Sequence, residues 1–174
     1  MKKIPIPSIF MLRELFSISS INQLWWKIPK RGRSNSRPAG GLRPNGYRYV
    51  WVNGKKYAEH RIIWALANRL IPPEWDIDHI NGKRADNRLE NLRAVRRRTN
   101  ILNKSNIPYC YFYKPTNKWM ARGTDIYGKA VYLGYHILYE EAHAIGVAHH
   151  NKIFAESLAK DEHDFTNWLL SLWA

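Results

Sequence analysis

The sequence has a single cysteine, Cys110, among 174 residues. One cysteine excludes an internal disulfide, and no pair with CxxC spacing is present to bind structural zinc. No apolar run approaches the roughly 18 residues that a membrane-spanning helix needs, which excludes an integral membrane protein. Near the start, Pro5, Pro7 and the charged pair Arg13-Glu14 interrupt any signal-peptide core. These features predict a soluble intracellular protein.

Acidic residues are also scarce, with 14 Asp and Glu against 28 Lys and Arg, and the formal net charge is +14. Residues 1–107 hold 22 Lys and Arg against 7 Asp and Glu, whereas residues 108–174 hold 6 against 7. So much charge of one sign destabilises a compact chain unless a polyanion relieves it. Hydrophobic residues at 45% supply a core and exclude a disordered basic tail. The sequence therefore predicts a folded, nucleic-acid-binding protein, with general solubility as the alternative explanation.

The first half of the chain predicts short elements bounded by turns. Residues 46–52 alternate in polarity and lead into Asn53-Gly54, which is the strongest short signal for a β-hairpin. The other predicted elements are a short helix near residues 12–16, a returning strand at 55–60, a helix at 61–70, a strand at 75–80 before Asn81-Gly82, a loop or helical turn at 87–91 and a basic helix at 96–103. The basic stretch 30–41 is either a mobile loop or an arm that orders on phosphates, and the sequence leaves both open.

The second half follows a plausible linker at residues 105–108 and has a different pattern. Three strands are predicted at residues 109–113, 118–122 and 129–134. A helix over residues 140–160 and a second short amphipathic helix over residues 165–173 follow them. The expected fold class is therefore α+β throughout, with two small domains.

Four residues carry the chemistry that the sequence suggests: Asp78, His79, Asn91 and Asn100. Hydrolysis of a phosphodiester needs a base for the water, a hard cation on the phosphate and groups that orient the base. A carboxylate and an amide oxygen suit Mg²⁺, and an imidazole that is largely neutral at pH 7 suits a base. Any one of these side chains alone is more simply a turn or capping residue. Together, at this spacing, they favour a hydrolytic site.

The same region resembles the HNH endonucleases, in the branch of phage homing and free-standing nucleases. The resemblance covers roughly residues 11–104. The matching text is His60-Arg61, Asp78-His79-Ile80-Asn81-Gly82, Asp86-Asn87-Arg88-Leu89-Glu90-Asn91-Leu92-Arg93 and Asn100, with the hairpin at 46–55 as lead-in.

The resemblance implies a ββα-metal (His-Me finger) fold around one divalent cation, Mg²⁺ or Mn²⁺, with no zinc. Asp78 and Asn100 would be the metal ligands, although some branches have histidine where this chain has Asn100. His79 would be the general base, and Asn91 would orient that base and its loop. The His60-Arg61 pair would either pack the site or contact DNA phosphate.

Further basic residues are candidates for DNA contact. Arg93, Arg96, Arg97 and Arg98 form a cluster beside Asn100, and the alternatives are a clamp on the DNA backbone or a solvated helix face.

The C-terminal half resembles the APETALA/ERF-type DNA-binding domain over roughly residues 107–156, through Trp119-Met120-Ala121-Arg122, Tyr132-Leu133-Gly134 and Glu140-Glu141-Ala142-His143. That family lays a three-stranded sheet in the major groove and backs it with a helix. The residues expected to contact DNA are Lys114, Lys118, Arg122 and Lys129. Alternation places Lys118, Met120 and Arg122 on one face, with Trp119 and Ala121 against the helix. Tyr109, Tyr111 and Tyr113 are expected to share a face, for stacking or for filling space.

The predicted organisation is a nuclease domain at residues 1–106, with its motif core at 46–104. A DNA-binding domain with a helical tail follows at residues 107–174. The expected function is a homing-type, metal-dependent endonuclease that cuts or nicks double-stranded DNA to leave 5′-phosphate and 3′-hydroxyl ends. We expect a monomer in the cytoplasm of a bacterial host, encoded by a phage. The alternatives are a non-catalytic DNA-binding regulator on the same scaffold and, less favoured, a protein that binds or cuts RNA.

Overall fold

A computed structural model describes residues 4–27, 38–67, 70–104 and 107–172 of the chain. Its helices are α1 (Ile9–Leu15), α2 (Glu59–Leu66), α3 (Arg97–Leu102) and α4 (Tyr139–Ser171). Its strands are β1 (Phe16–Ile18), β2 (Leu24–Trp26), β3 (Gly41–Leu42), β4 (Arg48–Val52), β5 (Lys55–Ala58), β6 (Asp76–His79), β7 (Leu92–Val95), β8 (Cys110–Tyr113), β9 (Lys118–Thr124) and β10 (Ala130–His136). The chain forms two compact units, Met1–Ala94 and Val95–Ala174. The predicted α+β class with small antiparallel sheets is confirmed.

The N-terminal unit is built around two antiparallel sheets, β1-β2 and β3-β4-β5. The helix predicted near residues 12–16 is present as α1, whereas β1 and β2 have no counterpart in the sequence prediction. One apolar core joins these sheets to α1 and α2, and its buried members are Leu12, Phe16, Leu24, Val50, Val52, Tyr57, Ile62 and Ile63. The basic stretch predicted at 30–41 lies mostly outside the described residues.

The hairpin predicted at Asn53-Gly54 is confirmed. Both residues have positive φ, 47° and 74°, and Val52 pairs with Lys55 across the turn. Such left-handed pairs match the twist of the flanking strands, which is why Asn-Gly is favoured there. One boundary was wrong: the second strand ends at Ala58, and α2 begins at Glu59. His60 therefore lies in the first turn of α2, next to the fully buried Glu59.

A buried ion pair ties four segments of this unit together. The side chain of Glu59 is fully buried, and its Oε2 accepts a 2.8 Å hydrogen bond from Arg48 Nε. Oε1 accepts from the Leu24 backbone N–H at 3.1 Å, and Arg48 also donates to the Gly40 carbonyl at 2.7 Å. A Cβ at Gly40 would lie 2.3 Å from Glu59 Oε2, so only glycine fits there. The carboxylate thus fixes β2, β4 and the segment before β3 against α2.

The segment that carries the HNH-like motif contains the predicted strand, turn and helix. β6 ends at His79 and enters a turn in which Gly82 N donates to the His79 carbonyl at 2.9 Å. A 3₁₀ turn at Leu89–Asn91 leads into β7, which pairs with β6 in a two-stranded sheet. α3 follows β7 along the chain, and β7 itself was not among the elements predicted from the sequence. The ββα-metal arrangement that the resemblance implies stays a prediction.

The C-terminal unit contains the predicted three strands, with β9 at the centre of the order β10-β9-β8. α4 covers one face of this sheet: Ala121 is fully buried, and a Cβ at Gly123 would meet the His149 ring at 2.3 Å. Trp119 packs on Tyr139 at the start of α4, which confirms that residues 119 and 121 face the helix. The prediction of two helices was wrong, because α4 runs without a break from Tyr139 to Ser171.

α4 also holds α3 in place within this unit. Asp161, buried on α4, accepts a 2.9 Å hydrogen bond from the Arg96 backbone N–H at the start of α3. The Arg96 guanidinium pairs with Asp161 and Asp164. A carboxylate that accepts from a helix N-terminal N–H satisfies a donor that the helix itself leaves without a partner. None of the helices described here is long and apolar enough to cross a membrane.

We predict that Glu59→Ala lowers the free energy of unfolding by about 3–5 kcal/mol, because it leaves Arg48 half-buried without its carboxylate. Urea unfolding at pH 7 measures this change. The control is Glu90→Ala, which removes a carboxylate whose side chain is 66% exposed and should change stability by less than about 0.5 kcal/mol. Equal unfolding midpoints for the two variants would contradict the role given to the ion pair.

Candidate active site

The end of β6 brings the two central candidates into the N-terminal unit as buried side chains. Asp78 is 7% exposed and His79 is 3% exposed. Because successive residues of a strand point to opposite faces, the two side chains have different surroundings. Asp78 contacts Arg93 on β7, whereas His79 lies among His60, Tyr47 and Asn87.

The His79 ring is held on several sides. Its Nε2 lies 3.0 Å from Asn87 Oδ1, and this pair is buried. The ring of His60 meets it edge-on with centroids 4.8 Å apart, and the Tyr47 ring lies 6.0 Å away. Burial raises the pKa of Tyr47, so this hydroxyl stays protonated at neutral pH. The imidazole therefore has a fixed position before any substrate arrives.

The Asn87 contact also selects a tautomer. An amide oxygen can only accept, so His79 Nε2 must carry the hydrogen of this bond. In a neutral imidazole the lone pair is then on Nδ1. A neutral ring that is held through Nε2–H has the tautomer that suits a general base acting through Nδ1.

The Asp78 carboxylate is paired with a cation. Arg93 donates to its Oδ2 from Nε at 3.1 Å and from NH2 at 2.9 Å. The structure places the Arg93 guanidinium in this half-buried pair, and the DNA contact predicted for Arg93 stays a prediction. Arg93 offsets part of the cost of burying the charge of Asp78.

Asn91 braces the loop between β6 and β7. Its Oδ1 accepts from the Asn81 backbone N–H at 3.1 Å, and its Nδ2 donates to the Asp86 carbonyl at 2.8 Å. Hydrogen bonds from Arg88 hold the pKa of Asp86 well below its usual range, so that carboxylate stays charged and keeps its bonds to Arg88 and Asn81. Asn91 was expected to orient both His79 and the loop after it. Its contacts in the structure fit the support of the loop. The side chain that contacts His79 Nε2 is that of Asn87.

Sequence reasoning gave Asn87 no role beyond that of a loop or capping residue. The available signal was its place between Asp86 and Arg88 in the HNH-like text, eight residues after His79. The sequence does not show that the loop folds back and buries this amide, 5% exposed, against the imidazole.

His60 is buried beside His79, with 6% of its surface exposed, and its Nδ1 has no hydrogen-bond partner among the described residues. Burial, followed by the neighbouring His79 and Arg61, lowers its pKa to about 3. A buried neutral ring suits the packing role that the sequence left open rather than contact with phosphate. Its neighbour Arg61 donates to the Ile4 carbonyl at 3.3 Å.

The basic cluster on α3 is only partly available to a ligand. Arg96 is paired with two carboxylates of α4, and Arg98 donates to Thr124 Oγ1 and to the Asp125 carbonyl. Arg97 is exposed. Internal bonds therefore occupy two of the three arginines in this stretch, and Arg97 is the side chain best placed for a DNA clamp.

Asn100 lies half-buried in the middle of α3, in the C-terminal unit. Its assignment as a metal ligand stays a prediction. The described residues contain no group of three or more His, Cys, Asp or Glu that could hold a metal ion. Carboxylate and amide oxygens, such as those of Asp78 and Asn100, are the hard donors that Mg²⁺ and Mn²⁺ prefer. A carboxylate has about four lone-pair positions, so Asp78 can accept from Arg93 and also bind a cation.

The predicted DNA-contacting residues of the second unit lie at its surface. Lys118 and Arg122 are on the face of β9 that points away from α4, and Lys114 and Lys129 lie at the ends of neighbouring strands, all of them exposed. The expected grouping of three tyrosines was wrong at Tyr109. This ring packs on His143 and His150 of α4, because Tyr109 precedes β8 and turns toward the helix.

We predict that the chain loses stability as the pH falls below about 6.5. The pKa of His60 is about 3 when folded and 6.5 when unfolded, so between these values the unfolded state binds a proton that the folded state does not. Through this one group, the free energy of unfolding should fall by about 1.4 kcal/mol for each unit by which the pH drops within this range. Urea unfolding between pH 7 and pH 5 measures the slope.

The matched variant for this measurement is His60→Phe, which keeps a buried ring and removes the titrating nitrogen. It should flatten the slope between pH 6.5 and pH 5 relative to the native chain. The exposed His163 provides the control, and His163→Ala should keep the native slope. An unchanged slope in His60→Phe would show that other groups govern the acid sensitivity.

Comparison with known proteins gives a family match. The model of the HNH endonuclease family matches residues 57–102. No curated protein and no solved structure matches the chain. The matched segment runs from the end of β5 to the end of α3 and includes Asp78, His79, Asn87, Asn91 and Asn100. Residues 57–102 of this chain are therefore an HNH endonuclease domain.

Proposed function

We propose that the chain is a divalent-metal-dependent DNA endonuclease in which His79 is the general base. The observation that carries this proposal is the buried His79 ring, which Asn87 and His60 hold within the matched segment. Homing activity, a phage origin and a cytoplasmic location are further parts of this proposal, and they rest on the resemblance of the sequence to the phage-type branch.

The proposed reaction is hydrolysis of a phosphodiester. His79 Nδ1 takes a proton from a water molecule while the water oxygen forms a bond to phosphorus. The bond from phosphorus to the 3′ oxygen breaks, and that oxygen leaves and gains a proton, so the products are a 5′-phosphate and a 3′-hydroxyl. A positioned base of this kind contributes about 10²–10⁴ to a rate.

Asp78 and Asn100 are the residues that would hold the cation, Mg²⁺ or Mn²⁺. When bound, the cation supplies neutralisation of the charge that develops on the phosphate oxygens. Arg93 orients the Asp78 carboxylate through two hydrogen bonds to Oδ2. Asn91 keeps the loop after β6 in the shape that delivers Asn87 to His79.

The substrate is proposed to be double-stranded DNA, bound by a monomer that nicks one strand at a time. In the second unit, Lys114, Lys118, Arg122 and Lys129 would neutralise phosphates, as the resemblance to the APETALA/ERF-type domain implies. Contacts of this kind position the protein on DNA and make binding depend on salt. The sheet and the covering helix give support to this part of the proposal.

We predict that the chain nicks or cuts long phage and bacterial DNA at limited sites with Mg²⁺, and that EDTA abolishes the cleavage. His79→Ala should lower the cleavage rate by about 10²–10⁴ because the base is lost. Mapping of DNA ends measures both the sites and the strand preference. His163→Ala, at an exposed histidine of α4, is the control and should cut like the native chain. DNA binding without cleavage by the native chain would favour the regulator instead.

We predict that Asn87→Ala lowers kcat by about 10–100-fold with a smaller effect on KM, because the base loses its fixed orientation. Asn87→Asp keeps an accepting oxygen and should retain most of the activity. Nitrogen NMR of labelled histidine should show His79 with hydrogen on Nε2 in the native chain and a mixture of tautomers in Asn87→Ala. Asn167→Ala, at an exposed asparagine, is the control. Equal losses in the Ala and Asp variants, with an unchanged tautomer, would contradict this role.

A further inference from the structure

The sheet of the C-terminal unit has an outer face that α4 does not cover. The strand register places Tyr111, Met120 and Tyr135 side by side across β8, β9 and β10. The neighbouring pairs on this face are Tyr113 with Lys118 and Tyr132 with Arg122. These seven side chains are here called the outer face.

The outer face is rich in aromatic rings that contact one another. Tyr113 stacks on Tyr135 with centroids 5.4 Å apart and planes 26° apart, and Tyr132 meets Tyr135 edge-on at 5.4 Å. On the other side, Tyr111 OH donates to Met120 Sδ at 3.5 Å. The rings remain accessible: Tyr132 is 60% exposed, and Tyr111 and Tyr135 are each 37% exposed. Four tyrosines thus form a platform where solvent-facing strand positions are usually polar.

The charge of the outer face is positive. Arg122 lies over the Tyr111 ring at 5.4 Å, and Lys118 occupies the adjacent exposed position on β9. None of the seven side chains is acidic. In the turn between β9 and β10, the Asp125 carboxylate accepts hydrogen bonds from the backbone N–H groups of Tyr127 and Lys129. A positive surface of this kind complements a polyanion.

The residue types favour base faces over base edges. Sequence in a DNA groove is recognised mainly by Arg, Lys, Asn and Gln, which donate and accept in the plane of the base pair. The outer face has no Asn or Gln, and a thioether occupies its centre at Met120. Aromatic platforms with nearby cations are instead the common means of holding unpaired bases, since every base has a face that can stack.

We propose that the outer face binds single-stranded DNA, with Tyr132, Tyr135 and Tyr111 stacking on unpaired bases and Arg122 and Lys118 on the phosphates. This proposal departs from the major-groove docking that the resemblance to the APETALA/ERF-type domain implies. Lys118 and Arg122 would neutralise phosphates of a locally unpaired segment of the DNA, whereas Lys114 and Lys129 stay candidates for contact with its paired part. The binding surface lies entirely within the C-terminal unit and does not depend on cleavage.

The test is fluorescence anisotropy of the full chain in EDTA, with a labelled single strand of about 20 nucleotides and with its duplex. Tyr132→Ala should weaken binding of the single strand by about 5–150-fold, the range expected for loss of one stacked base. Binding of the duplex should change by less than about two-fold. Tyr132→Phe keeps the ring and should bind the single strand as the native chain does, which separates stacking from a hydroxyl contact.

Two further variants complete the design. Tyr127→Ala removes a tyrosine that is 78% exposed in the turn outside the outer face, and it should leave both affinities unchanged. Arg122→Gln should weaken binding of the single strand and lower the slope of its log affinity against log salt concentration by about one.

Equal weakening of single strand and duplex by Tyr132→Ala would overturn the proposal in favour of groove contact. Unchanged single-strand binding in Tyr132→Ala would also overturn it. Tighter binding of a single-stranded RNA than of the DNA strand would overturn the assignment to DNA. Because no cleavage is measured, failure here leaves the proposed endonuclease activity intact, and failure of cleavage leaves this binding surface intact.

Discussion

The ion pair between Glu59 and Arg48 is the interaction on which the N-terminal unit and its candidate site both depend. A fully buried carboxylate is costly unless its oxygens are occupied, and here Arg48 and the Leu24 backbone occupy them. This requirement draws the first turn of α2 against β2 and β4. The next residue, His60, is then directed at His79. The burial of Glu59, which stabilises the sheet region, thus also sets how His60 packs against His79, the proposed base.

In the candidate site, the two central side chains, Asp78 and His79, are each held by a supporting side chain. The two-residue period of β6 sends Asp78 and His79 to different surroundings, so each can be fixed separately: Asp78 by Arg93, and His79 by Asn87. The loop between β6 and β7 is itself braced, since Asn91 bonds two of its backbone groups. Hydrogen bonds that orient a reactive group through a supporting shell are a general feature of preorganised sites.

The parts of this structure that could be predicted from sequence are those set by local rules. Asn53-Gly54 fixes a hairpin by its positive φ values, and alternation in β9 fixes which residues face α4. Contacts that join distant positions could not be predicted, because no local pattern marks them. Arg96 meets Asp161 across 65 residues, a contact that no local pattern around Arg96 indicates. Likewise, two helices were predicted over residues 140–160 and 165–173, whereas α4 runs through both, and its Asp161 and Asp164 pair with the distant Arg96.

The polar character of the site bears on whether the scaffold is catalytic. His60, His79 and Asn87 are all more than nine-tenths buried, and His60 Nδ1 lacks a hydrogen-bond partner among the described residues. Burying such groups costs free energy that an apolar cluster of similar volume would not. A DNA-binding regulator needs basic side chains at its surface and gains nothing from a desolvated imidazole with a fixed tautomer. A hydrolase does gain, because its base must be neutral and oriented before the water arrives. The cost of this buried cluster therefore favours the nuclease over the regulator.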